Sequence, residues 1–315
     1  MKKPIVVLTG PTAVGKTELS IQLAKAIGGE IISADSMQVY KHMDVGSAKI
    51  TPEEMDGVRH YLVDELEPFD EFHVVKFQEY AQKYLNEIYA HGKIPIIAGG
   101  TGFYIQALLN DIDFTEQESD SAYRKELEAL AEEHGNQYLH DRLKEVDPES
   151  AEAIHPNNRK RVIRALEFYQ ETGRKISEHN AKEQMRTSPY NFAYFVLNDE
   201  RSHLYKRIDA RVDKMIEDGL EAEVRRLKEM GCTKDMVAMQ GIGYKEMLSY
   251  LDGSYSLEEA VYIIKRETRH FAKRQITWFK RERDVIWLNK NEFDYKNEAI
   301  LAYMIKILKE KAIIS

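Results

Sequence analysis

An apolar run that stops at a glycine-bounded loop and resumes as a helix constrains this chain more than any other feature. Ile5-Val6-Val7-Leu8 is followed by Gly10-Pro11-Thr12-Ala13-Val14-Gly15-Lys16-Thr17, and then by helical periodicity over 17–27. Consecutive apolar residues without polar alternation read as a strand buried on both faces, as in a parallel sheet. Glycine at each end lets the loop curl so that its N–H groups converge on anionic oxygens. The helix that follows adds its positive end. Lys16 supplies a point charge for outer phosphates, and the Thr17 hydroxyl is placed to ligate Mg²⁺. Gly10, Pro11, Thr12, Ala13, Val14, Gly15, Lys16 and Thr17 therefore form the expected phosphate cradle, which does not by itself say which phosphate compound is bound.

The rest of the first third repeats this grammar. Strands are expected at 30–34, 60–63 and 93–98, and helices at 74–89 and 103–109. Alternating strands and helices predict a P-loop α/β fold, a parallel sheet flanked by helices. Gly10, Asp35 and Thr101 fall at strand carboxyl ends, where such sheets bind ligands. From about Phe114 the strands disappear. Helices are expected at 123–133, 136–146 and 158–172, and a polar loop at 179–189. A strand returns at 192–197, followed by helices at 201–217, 220–230 and 257–280, a strand at 284–288 and a helix at 299–311. The block between is read as an inserted all-helical domain, 114–190, within a core formed by 1–113 and 191–315.

Composition narrows the class. At 315 residues and 43% hydrophobic, a packed core is feasible. No apolar run reaches membrane-spanning length and the N-terminus does not read as a signal peptide, so no membrane partner and a cytoplasmic location are expected. A single cysteine, Cys232, excludes an internal disulfide framework and reads as a buried apolar side chain. The net charge of −8 argues against a polyanion partner only on average. Acids from Glu116 to Glu152 far outnumber Arg124, Lys125, Arg142 and Lys144. Between Glu258 and Arg283, in contrast, Lys265, Arg266, Arg269, Lys273, Arg274, Lys280, Arg281 and Arg283 outnumber four glutamates. Local sign governs docking, because screening limits reach to about 8–10 Å.

Asp35 opens Asp35-Ser36-Met37-Gln38-Val39-Tyr40 at the end of the second strand. It is open to roles as a Mg²⁺ partner, a ribose ligand, a general base or a turn aspartate. The strand at 93–98, where a nucleotide hydrolase would carry a metal-holding aspartate, ends instead in Gly99-Gly100-Thr101. A cradle of this kind suits a diphosphate leaving group better than hydrolysis of a nucleoside triphosphate.

These segments, with Val45-Gly46-Ser47-Ala48-Lys49, Gly99-Gly100-Thr101-Gly102, His155-Pro156-Asn157-Asn158, Arg161, Arg164-Ala165-Leu166-Glu167, Gly241-Ile242-Gly243-Tyr244 and Thr268-Arg269 to Trp278, resemble the tRNA dimethylallyltransferase family nearly end to end and in family order. Departures are mild: Val45, Ser47, Ile50 and His270 replace the usual Ile, Thr, Pro and Gln. The cysteines of a C-terminal zinc finger are lacking, as in bacterial members.

The resemblance implies transfer of a dimethylallyl group from dimethylallyl diphosphate to N6 of adenosine 37, beside the anticodon of a tRNA with adenosines at 36–38. It implies Mg²⁺ at Thr17, Lys16 and Arg211 on the diphosphate, Asp35 as the base and Thr101 on the adenine or its phosphate. The base would have to be extruded from its loop. The RNA surface would comprise Asp35, Ser36, Met37, Gln38 and Thr101; Arg159, Lys160, Arg161, Val162 and Ile163 of the inserted domain; Gln240, Gly241, Ile242, Gly243, Tyr244 and Lys245; and Lys273, Arg274, Gln275, Trp278 and Lys280. Trp278, like Phe279, also reads as core. The expected partners are thus tRNA and dimethylallyl diphosphate, the enzyme acting as a monomer. A small-molecule P-loop kinase and an isopentenyltransferase acting on free adenine nucleotide share the cradle and are the alternatives.

Overall fold

The computed structural model describes residues 2–112, 122–184 and 186–315. The chain divides into two compact units, Met1–Leu109 with Pro189–Ser315, and Asn110–Ser188. The expected boundary between 113 and 114 lies outside the described residues.

In the first unit the chain runs β1 (Lys3–Thr9), α1 (Lys16–Ile27), β2 (Gly29–Ser33), α2 (Pro52–Met55), β3 (His60–Tyr61), α3 (Val74–Ala90), β4 (Ile94–Gly99) and α4 (Gly102–Leu109). The second unit supplies α5 (Ala122–His134), α6 (Asn136–Val146), α7 (Pro148–Ala153), α8 (Arg159–Thr172) and α9 (Ile176–Gln184). The first unit resumes with β5 (Tyr190–Asn198), α10 (Arg201–Glu217), α11 (Leu220–Glu229), α12 (Tyr244–Leu251), α13 (Leu257–Phe279), β6 (Val285–Asn289) and α14 (Asn297–Glu310).

The six strands form one parallel sheet in the order β3-β2-β4-β1-β5-β6. Strand periodicity splits the core between its faces. Ile5, Val7, Ile32, Ile97, Tyr194 and Val196 pack with α3, α4, α11 and α12 on one side. Val6, Leu8, Ile31, Ile96, Phe195 and Leu197 pack with α1 and α14 on the other. Both faces of β1 are sealed, which is why its sequence is continuously apolar. The ladder between β1 and β4 ends at the pair Thr9↔Gly99, so the loops after those residues leave the sheet side by side.

The helical unit has its own core of Leu127, Leu139, Leu143, Val162, Ile163 and Leu166. Two helices there depart from the sequence reading, and Asp147 explains both. Its carboxylate accepts Ser150 N–H (3.1 Å) and Oγ–H (2.7 Å), capping α7 with Pro148 in the first turn. It also accepts Ser177 N–H (3.0 Å) and Oγ–H (2.7 Å), and so holds the start of α9 across 30 residues. The expected loop at 179–189 is therefore helical as far as Gln184, because its anchor is distant in sequence. Likewise α12 begins inside the turn expected at 240–245, where Glu246 Oε2 accepts Gly243 N–H at 2.8 Å. No helix among the described residues is long and apolar enough to cross a membrane.

Candidate active site at the strand carboxyl ends

The cradle leaves β1 through Gly10, whose φ of 148° and close approach to the Leu197 carbonyl leave no room for a side chain. Ala13 sits at φ 62° and Gly15 at φ 102°, so the loop curls before α1 begins at Lys16. Its carbonyls face cations. Lys16 Nζ donates to Gly10 O (2.9 Å) and Pro11 O (2.8 Å), Arg207 Nε donates to Ala13 O (2.7 Å), and Lys290 Nζ lies 3.4 Å from Val14 O. With these carbonyls engaged by cations and the Thr12 N–H given to Gln275 Oε1, the remaining loop N–H groups are the ones an anion would meet.

The neighbouring strand ends carry Asp35 and Thr101. Asp35 Oδ1 accepts Met37 N–H at 2.9 Å and Gln38 N–H at 3.4 Å, forming a turn that holds the carboxylate at the end of β2. Its Oδ2 has no hydrogen-bond partner among the described residues. Thr101 N–H donates to Ala34 O (3.1 Å), while Thr101 O accepts from Tyr104 and Ile105 at the head of α4. A Cβ on Gly99 would strike the Ala34 backbone, so glycine there lets the two strand ends close up.

The electrostatics are lopsided. Lys16, Arg207, Arg211 and Lys290 make no ion pair within 4 Å among the described residues. Burial, then the Arg211 charge, pull the Lys16 ammonium down to about 7 against the opposing pull of Asp35. Burial also lowers Arg211, with Asp35 the main counterweight, and burial then Arg207 lower Lys290. Four cations that make no ion pair within 4 Å, with Asp35 the main opposing charge at Lys16 and Arg211, suit a polyanion.

The sequence profile of the IPP transferase family matches residues 38–282. A curated tRNA dimethylallyltransferase of Lachnoclostridium phytofermentans is 64% identical over 313 residues, 99% of each chain. The chain belongs to the IPP transferase family. This family member is also 52% identical over 296 residues to a tRNA dimethylallyltransferase of Acetivibrio thermocellus, covering 94% of this chain and 95% of that one. Among solved structures, the Bacillus halodurans tRNA isopentenylpyrophosphate transferase matches with TM-score 0.74 and 46% identity, over 99% of this chain and 98% of that one. A eukaryotic dimethylallyltransferase acting on tRNA matches at TM-score 0.79 and 32% identity, over 91% and 74% of the two chains.

A metal ion would find one protein hydroxyl here. Thr17 is exposed on the first turn of α1 and its hydroxyl has no partner among the described residues. No group of three His, Cys, Asp or Glu among them could hold a metal. This fits Mg²⁺ carried mainly by phosphate oxygens and water, its usual mode in phosphate sites.

The expected RNA-facing residues separate on inspection. Exposed are Lys273 and Arg274 on α13, Lys280 just after it, Gln240 and Lys245, and, in the helical unit, Lys160 and Arg161. Arg274 also sits 5.8 Å from the Phe271 ring, and Arg159 pairs with Glu132 at 3.8 Å. Ser36, Met37, Gln38, Gly241 and Ile242 are half-buried. The structure brings two of these segments together, since a Cβ on Gly241 would lie 3.0 Å from Met37 Cε.

Four of these side chains are buried. Val162 and Ile163 are 0% and 2% exposed in the helical core, being the apolar stripe of α8. Tyr244 is fully buried and donates its hydroxyl to Glu223 Oε1 at 2.8 Å. Glu223 in turn accepts the N–H groups of Asp44, Val45 and Gly46. Gln275 points inward, with both ends of its amide used inside the fold. Gly243 is also buried. Trp278 is half-buried, edge-on to Phe103 at 6.1 Å and packed over Gly102.

Arg207 and Lys290 are cradle residues that the sequence reading missed. Arg207 lies one helical turn before Arg211, a readable signal. Lys290 directly follows β6, at a strand carboxyl end.

Proposed function

We propose that this chain is a tRNA dimethylallyltransferase, moving the dimethylallyl group of dimethylallyl diphosphate onto tRNA. The observation that carries the reading is the pairing of an anion cradle, ringed by cations that make no ion pair within 4 Å among the described residues, with Asp35 and Thr101 at the adjoining strand ends and no carboxylate closing β4. The full-length likeness to tRNA dimethylallyltransferases supports it.

In this reading the acceptor is N6 of adenosine 37, presented extruded from the anticodon loop. The cradle N–H groups hold the diphosphate, and Lys16 and Arg211 stabilise the negative charge that grows on it as the C–O bond stretches. Mg²⁺ bound with Thr17 would supply further charge neutralisation of the leaving group. The exocyclic amine is a feeble nucleophile and sheds a proton as the N–C bond forms. Asp35 Oδ2 takes that proton, and Thr101 orients the base or its phosphate. Exposed cations of α13 and α8 bind RNA phosphates. A cytoplasmic monomer suits this activity.

Incubation with labelled dimethylallyl diphosphate, Mg²⁺ and unmodified tRNA carrying adenosines 36–38, followed by mapping of the label, tests the reading. Label on N6 of adenosine 37 is expected. Product on AMP without tRNA, or phosphate transfer from ATP to a small acceptor, would replace it with one of the two alternatives.

A further inference from the structure

Gln275 is a polar side chain on an apolar stripe. It lies between Ala272 and Phe279 on the buried face of α13 and is 6% exposed. A buried primary amide is costly unless both ends find partners. Both do. Gln275 Oε1 accepts the Thr12 N–H of the cradle at 2.9 Å, and Nε2 donates to Gly100 O at 2.9 Å. Gly100 is shaped for this contact, because a Cβ there would strike Nε2. The next residue, Thr101, donates its N–H to Ala34 O at 3.1 Å, immediately before Asp35.

A single run of hydrogen bonds therefore joins the cradle, the Gly100–Thr101 loop and the end of β2, and Gln275 is its side-chain link. The strand ladder cannot provide this tie, since pairing between β1 and β4 stops at Thr9↔Gly99. Beyond that pair, the separation between donor cradle and acceptor residues depends on what bridges the loops. The bridge needs one acceptor facing Thr12 and one donor facing Gly100, which an amide supplies and a carboxylate or thioether does not.

We propose that Gln275 is a positioning residue. It holds the cradle and the Asp35–Thr101 pair at the separation where the allylic carbon meets the acceptor amine. The proposal rests on the prenyl-transfer reading above. Its chemical consequence is specific. If the two halves drift apart, the C–O bond of the donor still breaks, but water attacks the allylic carbon instead of the amine. A C–O bond to water forms, the proton goes to solvent, and the products are dimethylallyl alcohol and diphosphate.

The test compares wild type with Gln275→Glu, which keeps shape and the Thr12 acceptor but loses the Gly100 donor, and Gln275→Met, which loses both. For each, transfer kcat, KM for donor and tRNA, diphosphate Kd, melting temperature and alcohol formed per transfer are measured. Misplacement of about 1 Å costs on the order of 10²-fold, so kcat is expected to fall roughly 10–100-fold. KM, diphosphate Kd and melting temperature should stay near wild type, while the ratio of alcohol to transferred product rises. Unchanged kcat and ratio would overturn the proposal. So would a loss confined to KM for tRNA, or a loss of kcat and diphosphate binding that only tracks a lowered melting temperature. A wild-type enzyme that transfers no label would instead overturn the functional reading.

Discussion

Two clusters of charge, one in each unit, are built on opposite terms. In the helical unit, Arg124 meets Glu167 as a two-pronged fork, Nε to Oε1 at 2.9 Å and Nη2 to Oε2 at 2.5 Å. That pairing raises Arg124 above its ordinary value despite partial burial. Asp147 is likewise surrounded by donors from Ser150 and Ser177. At the strand ends of the other unit, Lys16, Arg211 and Lys290 are all lowered by burial, and Asp35 is the main carboxylate opposing them at Lys16 and Arg211. A completed network holds a fold together. An incomplete one, in which Asp35 is the main carboxylate set against several cations, leaves net positive charge that suits an anionic ligand.

The sharpest way to break this contrast is Asp35→Ala. Transfer is expected to fall by about 10²–10⁴-fold, the usual worth of a general base, with tRNA affinity retained in a filter-binding assay. Near-full turnover would remove Asp35 from the role of base.

Next in size, Glu167→Gln leaves Arg124 facing a neutral partner. Breaking a buried pair costs roughly 3–5 kcal/mol, and solvent access to Arg124 places this case near 3. Melting followed by circular dichroism should show the loss, with diphosphate affinity of the folded protein unchanged.

Lys16 gives a third, smaller test. An anion in the cradle favours its charged form, so binding raises its pKa from about 7. Donor affinity should then be flat below about pH 7 and weaken above it by up to about tenfold per unit, until the value in the complex is reached. Calorimetry in buffers of different ionisation heat would count the proton taken up. Lys16→Arg, charged throughout this range, should flatten the profile.

The smallest effect belongs to Asp147. Burial alone would raise its carboxyl, but the hydrogen bonds of Ser150 and Ser177 outweigh that and lower it. A lowered acid contributes stability above its unfolded value of about 3.9, and that stability is lost as pH falls through the folded value. Asp147→Asn should remove this acid-side slope in melting temperature.

Legibility in the sequence followed interaction range. Ile5 to Leu8, Gly10 to Thr17 and the helical periods of α1, α10 and α13 are local signals and read correctly. The polar stretch that became α9 did not, because Asp147 anchors it from 30 residues away. Asp35 and Thr101 were recognisable as strand-end residues. Lys290 was not, since nothing in its own segment records the Val14 carbonyl it faces, and Arg207 was passed over although it lies one helical turn before Arg211. The family resemblance placed Tyr244 on an RNA surface and a cation-rich stretch did the same for Gln275, and the partners of both turn them inward.

The sequence alone determined the parallel sheet, the glycine-bounded loop after its first strand and the strand-end placing of Asp35, because strand burial, a glycine-bounded turn and a helix start are each written within a few consecutive residues. Tertiary structure decided which cations ring the cradle, which polar side chains close hydrogen bonds inside the fold, and how the loops after β1 and β4 are tied. Those depend on groups up to 276 residues apart, and such pairings exist only once packing has brought the strand ends together.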